Sequence, residues 1–200
     1  MPIKHIVLDL GGVLIELEWR QNIVALFGEQ LSFAQARHRW SLSPAVQAHE
    51  TGNLDLEQFV AAWCEELQLD SCEAVKPAFL SLLGELKPHT ESMLETVGER
   101  FSLSMLSNIS HAHIQRLDER VALEHQFSRR FLSCDLGKMK PSLDVFQLVV
   151  SELQCDVGEI AFFDDTSIHV DAATVSGLHA WRVESPQEIM RIIQTDEIFL

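Results

Sequence analysis

Apolar and polar positions follow two different periods along the 200-residue chain. Ile6-Val7-Leu8 is an unbroken apolar run ending in Asp9, and it predicts a strand over residues 4–9 buried on both faces. Residues 12–18 alternate weakly and predict a short hairpin or flap. Over residues 19–86 the period becomes helical. Trp19, Ile23, Leu26 and Phe27 share one face, and a second helix over 32–41 stops before Pro44. Thr51-Gly52-Asn53 marks a turn. Asp55 with Gln58 reads as a capping box opening a third helix that buries Phe59, Val60, Trp63 and Leu67. A fourth helix is expected over 73–86, with Pro77 in its first turn. Residues 16–86 therefore predict an all-helical insertion without a strand. Beyond Pro88 the two periods alternate. Strands are expected at 101–107, 129–133, 159–163 and 178–183, and helices at 90–100, 110–125, 142–153, 169–176 and 186–193. Strands separated by helices predict an α/β core, residues 1–15 and 87–200, with a parallel sheet covered by helices on both faces.

Three of the buried strands end in polar groups: Asp9, Ser107-Asn108 and Asp164-Asp165. In open α/β sheets the carboxyl ends of the strands are where ligands bind. Each piece also has a plain reading. Asp9 can cap a turn, Ser107-Asn108 can cap a helix, and Lys140 can be a solvated lysine. Adjacent carboxylates at a strand end repel one another unless a cation joins them. Together, a carboxylate, a hydroxyl with an amide, a lysine and an acidic pair are what phosphoryl transfer requires.

Composition narrows the partners. Thirty acidic against 15 basic residues give a formal charge of −15, which disfavours nucleic acid and anionic membranes. An anionic substrate then needs a cation and local basic groups to reverse the field. Cys64, Cys72, Cys134 and Cys155 form no C-x-x-C pair, so free thiols in a reducing cytoplasm are expected. Lys4 and Asp9 interrupt any apolar leader, and no apolar run approaches a membrane span. Gly11-Gly12 is not the G-x-G-x-x-G of a dinucleotide site.

Four segments, LDLGGV at 8–13, MLSN at 105–108, GKMKP at 137–141 and FFDD at 162–165, resemble in order the four motifs of the haloacid dehalogenase (HAD) superfamily. The resemblance spans essentially the whole chain. It looks closest to bacterial sugar-phosphatase-like members of the α-D-glucose-1-phosphate phosphatase type. It implies a Rossmann-like core under a helical cap, and a Mg²⁺-dependent phosphatase of a small phosphorylated metabolite, monomeric or a weak homodimer. Asp9 would attack phosphorus. Asp9, the Gly11 carbonyl, Asp164 and Asp165 would hold Mg²⁺. Gly12, Ser107, Asn108 and Lys140 would meet the phosphoryl group. The family usually carries a second Asp two residues after the nucleophile as acid and base, where this chain has Gly11. Glu16, Glu18 or a metal-bound water are candidate substitutes. His169 stands where Asn or Asp is common, and reads either as a surface histidine or as a group behind the metal. In the cap, Trp19, Arg20, Trp40, His49 and Glu50 are candidates for substrate choice, with core packing the plain reading of the tryptophans. His111 and His113 point apart on a helix and make no metal site. A metal-independent 2-haloacid dehalogenase is the alternative enzyme, disfavoured by Gly11 and the acidic pair. A binding module that lost turnover is the alternative non-enzyme.

Overall fold

The computed structural model describes residues 2–18, 23–27, 31–121 and 123–199. In chain order its strands are β1 (His5–Leu8), β2 (Ile15–Leu17), β3 (Leu83–Leu86), β4 (Ser102–Ser107), β5 (Arg129–Leu132), β6 (Ile160–Asp164) and β7 (His179–Arg182). Five of them form a parallel sheet in the order β5-β4-β1-β6-β7, with β1 at its centre. The unbroken apolar run of β1 follows from that place. Ile6 and Leu8 pack into one face with Met93, Leu94 and Phe163. Val7 packs into the other with Phe146 and Phe162. The first face is covered by α5 (Thr90–Gly98), α6 (His111–Arg120) and α10 (Pro186–Thr195), the second by α8 (Leu143–Leu153) and α9 (Ser167–Val175). A short α7 (Ser133–Leu136) follows β5.

Leu8 pairs with Met105 on one side and Phe163 on the other. One residue further, the Asp9 N–H donates to the Phe163 carbonyl at 2.9 Å. This register brings the ends of β1, β4 and β6 to one level, which is what gathers the polar tips.

Helices α1 (Phe33–Leu42), α2 (Pro44–Glu50), α3 (Leu56–Glu66) and α4 (Val75–Leu80) build a separate apolar cluster around Trp40, Phe59, Trp63 and Phe79. Ser32 and Asp55 close their capping boxes with Gln35 and Gln58. Helix α1 stops before Pro44 as expected, and Pro44 itself opens α2 at its first turn under a Ser43 cap. The helix expected over 73–86 stops at Leu80, and β3 pairs antiparallel with β2. Gly84 permits this approach: a Cβ there would lie 3.1 Å from the Glu16 carbonyl oxygen. The insertion is thus joined to the core through a two-stranded ribbon rather than through helices alone, and the expected local hairpin is a long-range pairing. Val24–Phe27 is a 3₁₀ turn, while Trp19 and Arg20 lie outside the described residues. Helix α6 ends at Arg120, not near residue 125. No helix among the described residues is long and apolar enough to cross a membrane.

The expectation of four free thiols is corrected. Cys64 and Cys72 form a disulfide with Cα atoms 5.6 Å apart, because the chain leaving α3 turns back on its last turn. Cys134 and Cys155 remain free. Cross-linking so short a loop removes about 2–3 kcal/mol of unfolded-state freedom. Cys72→Ser is expected to lower the urea-unfolding free energy by that amount, read from tryptophan fluorescence. Four reactive thiols in the unreduced, unfolded protein would refute the bridge.

Candidate active site

Asp9 follows directly on β1, and only 7% of it is exposed. The chain beyond it folds back sharply: Gly12 has φ +81°, and a Cβ there would come within 2.4 Å of Asp165 Oδ2. The Gly12 N–H, expected to meet a phosphoryl oxygen, donates instead to the Ile15 carbonyl at 2.8 Å. The tight turn consumes it.

Lys140, between α7 and α8, is 1% exposed rather than a solvated lysine. Its ammonium reaches Asp9 Oδ1 at 2.9 Å, Asp164 Oδ2 at 2.6 Å and the Leu106 carbonyl at 2.9 Å. Asn108 places it. The Asn108 amide donates to the Lys140 carbonyl and accepts from the Lys140 N–H, both at 2.9 Å. Asn108 is therefore engaged with the backbone that presents the lysine, while Ser107 lines the cavity beside it.

Asp164 is fully buried at the end of β6. The Thr166 N–H donates to its Oδ1 at 2.8 Å, and His169 Nδ1 lies 3.0 Å from Oδ2. His169 is thus not a surface histidine; its side chain is 15% exposed and stands behind Asp164. One turn into α9, its position follows from the strand-to-helix bend that only the fold supplies. Burial opposes ionisation of Asp164, but Lys140 and the His169 contact outweigh it and hold the carboxyl below the usual carboxylate range. At Asp9 burial wins. It outweighs Lys140 and, with the charges of Asp164 and Asp165 adding, pushes the Asp9 carboxyl up to about 7.

Asp165 is held by a residue that the sequence reading did not single out. Arg37 of α1 makes two 2.7 Å bonds, Nη1 to Oδ2 and Nη2 to Oδ1, and also reaches the Thr166 hydroxyl. Bidentate pairing of this kind is strong and directional. Its one sequence signal was an arginine three residues before Trp40 on an inward-facing helix.

Asp9, Asp164 and Asp165 each offer an oxygen, all within 4.8 Å of one another. Three carboxylates face two cations, Lys140 and Arg37, so the uncompensated charge adds to the burial that lifts Asp9. Hard oxygen donors short of positive charge fit a small divalent cation such as Mg²⁺.

Asp9, Ser107 and Lys140 open into a cavity of about 720 Å³ that the insertion lines with Arg37, Trp40 and Glu50. Of the insertion residues expected to face substrate, Trp40 and Glu50 do line it, whereas His49 is buried against Phe59 and Phe79. The wall is fastened to the core. Ser133 Oγ donates to the Glu50 carbonyl at 2.5 Å, and His113 Nε2 donates to the Phe79 carbonyl at 2.7 Å.

A family model described as haloacid dehalogenase-like hydrolase matches residues 3–177. The chain is 23% identical over 194 residues to D-ribitol-5-phosphate phosphatase of Bacteroides thetaiotaomicron, covering 92% of this chain and 93% of that one. Among solved structures, a HAD family enzyme of the same organism, in complex with magnesium and inorganic phosphate, has a TM-score of 0.74 at 24% identity, covering 90% of this chain and 93% of that one. A predicted HAD-like family hydrolase from Porphyromonas gingivalis has a TM-score of 0.78 at 23% identity, covering 98% and 100%. At these identities the structural likeness establishes the fold.

Proposed function

Since the chain belongs to the haloacid dehalogenase-like hydrolase family, we propose that it is a Mg²⁺-dependent phosphatase of a small phosphorylated metabolite, a sugar or sugar-alcohol phosphate. The observation that carries this reading is Lys140 buried between Asp9 and Asp164 at the floor of a cavity, with Asp165 alongside. Asp9 attacks phosphorus and becomes an aspartyl-phosphate, which water then hydrolyses. Lys140 neutralises charge on Asp9 and on the transferring phosphoryl group, and the Ser107 hydroxyl donates to a phosphoryl oxygen. Asp9, the Gly11 carbonyl, Asp164 and Asp165 would hold Mg²⁺, which when bound supplies Lewis-acid polarisation of the phosphoryl oxygens. Metal and lysine together offset the repulsion of a −15 chain for an anion. Residues 16–86 act as a cap whose inner wall selects the group attached to phosphate. The name of the B. thetaiotaomicron relative supports a polyol phosphate among the first to try.

The test is phosphate release from a panel of sugar and sugar-alcohol phosphates, D-ribitol 5-phosphate included, with Mg²⁺ and with EDTA. Release that needs Mg²⁺ is expected. Chloride release from a 2-chloroacid without metal, or no phosphate release from any ester, would overturn the proposal.

Arg37 bears on the metal. It takes both oxygens of Asp165, so a cation that binds Asp165 competes with the guanidinium for that carboxylate's charge and lone pairs. A charged hydrogen bond is worth about 1.5–3 kcal/mol. Arg37→Ala is therefore expected to bind Mg²⁺ about tenfold more tightly by titration calorimetry. Unchanged or weaker binding would mean that guanidinium and metal do not compete.

A further inference from the structure

The proposed phosphatase has no carboxylate at position 11, where the resemblance leads one to expect the acid and base for the leaving group. A side chain there would meet Leu17, since a Cβ on Gly11 would lie 3.2 Å from its methyl. Glu16 does not fill the gap: its side chain is about half exposed and faces Lys87 at 3.9 Å.

Glu50 reaches the cavity from the insertion. It is the last residue of α2, 9% exposed, and lines the same space as Asp9, Ser107 and Lys140. It is held at both ends. Its Oε1 accepts from the Trp40 indole N–H at 3.3 Å. Its carbonyl accepts from Ser133 Oγ, which in turn accepts from the Ile109 N–H at 2.9 Å, two residues beyond Ser107. The wall that carries Glu50 is therefore pinned to the strand end that carries Ser107. Resting on the phosphatase reading, we infer that Glu50, supplied by the insertion, is the general acid and base of this enzyme in place of the missing residue at position 11.

As an Asp9 carboxylate oxygen bonds to phosphorus and the ester P–O bond breaks, the Glu50 carboxyl gives its proton to the departing oxygen, and the alcohol leaves neutral. Water then attacks the aspartyl-phosphate while the Glu50 carboxylate takes a proton from it. The bond from phosphorus to Asp9 breaks, phosphate departs, and both carboxyl groups return to their starting forms. The environment suits this use. Burial pushes the Glu50 carboxyl up to about 8 against the Trp40 bond, with the Asp9 charge adding and Lys140 opposing. The other titratable groups around the cavity are Arg37, His38, His113 and His169. His113 is neutral at pH 7, pushed down to about 4 by its burial.

The inference is tested by kcat/KM, which reports the step that expels the alcohol, on two esters of similar shape: 4-nitrophenyl phosphate, with a good leaving group, and phenyl phosphate, with a poor one. Glu50→Gln keeps an oxygen for Trp40. It is expected to lose about 10²-fold or more on phenyl phosphate and much less on 4-nitrophenyl phosphate. The fall of wild-type kcat/KM above about pH 8 should vanish in the variant. Glu50→Asp should recover part of the loss on phenyl phosphate. Equal losses on both esters, or none, overturn the role of Glu50 while wild-type turnover leaves the phosphatase reading standing. No turnover of either ester by the wild type with Mg²⁺ overturns both.

Discussion

Asp9→Asn is expected to abolish phosphate release, lowering kcat by at least about 10⁴-fold, in keeping with losses when a covalent nucleophile is removed. The replacement is nearly isosteric, so the turn at Gly12 and the fold should persist. An amide lacks the anionic oxygen that attacks phosphorus. The stability consequence has a definite sign. The Asp9 carboxyl stands at about 7 in the folded chain against 3.8 unfolded, chiefly because it is buried. Between those values the folded chain holds a proton that the unfolded chain has released, so this residue's contribution to stability falls as pH rises through that window. Asp9→Asn should remove that fall, and be more stable than the wild type at pH 8 in EDTA by a margin that shrinks toward pH 4. Undiminished phosphate release would end the assignment. A variant less stable at pH 8 than at pH 4, relative to wild type, would end the electrostatic account.

Lys140→Met is expected to cost about 3–5 kcal/mol of folding stability, the usual penalty for stripping one partner from a buried ion pair. The methionine fills similar volume beside Phe162, whose ring centroid lies 5.4 Å from the ammonium. It cannot meet Asp9, Asp164 and the Leu106 carbonyl, all three of which the ammonium bonds. Two carboxylates at the sheet's centre then lack their counter-charge, and turnover should fall with them. The deficit should shrink below pH 6, because carboxyls freed of Lys140 take up protons in the folded chain before the unfolded one does. Adding Asp9→Asn should restore part of the loss, since one uncompensated charge is gone. Urea unfolding at pH 5 and 8 in EDTA measures both effects. A loss within 1 kcal/mol at both values would show that Lys140 does not compensate the pair.

Much of the architecture was legible from one strand outward. An apolar run buried on both faces, as Ile6-Val7-Leu8 is, can only be a central strand of a covered parallel sheet, and β1 stands there. Its polar terminus, with those of β4 and β6, marked Asp9, Ser107 and Asp164 as neighbours before any coordinates. The capping box at Asp55 was equally legible, because a cap is a contact across three residues, while the matching box at Ser32 appears only in the structure. The fourth helix of the insertion was misread. The periodic pattern over 73–86 admitted a helix, and only the pairing with Ile15–Leu17 turns Leu83–Leu86 into a strand.

The amino-acid order alone determined where the core strands β1, β4 and β6 end and which polar groups those ends carry, because strand period, capping and turn chemistry act over a few residues. Tertiary structure alone decided what stands opposite them: Arg37 on Asp165 across 128 positions, Glu50 over the cavity, His169 behind Asp164 and Cys64 joined to Cys72. Such partners are set by how two packed layers meet. No local period encodes that meeting; the shapes and charges of whole surfaces do.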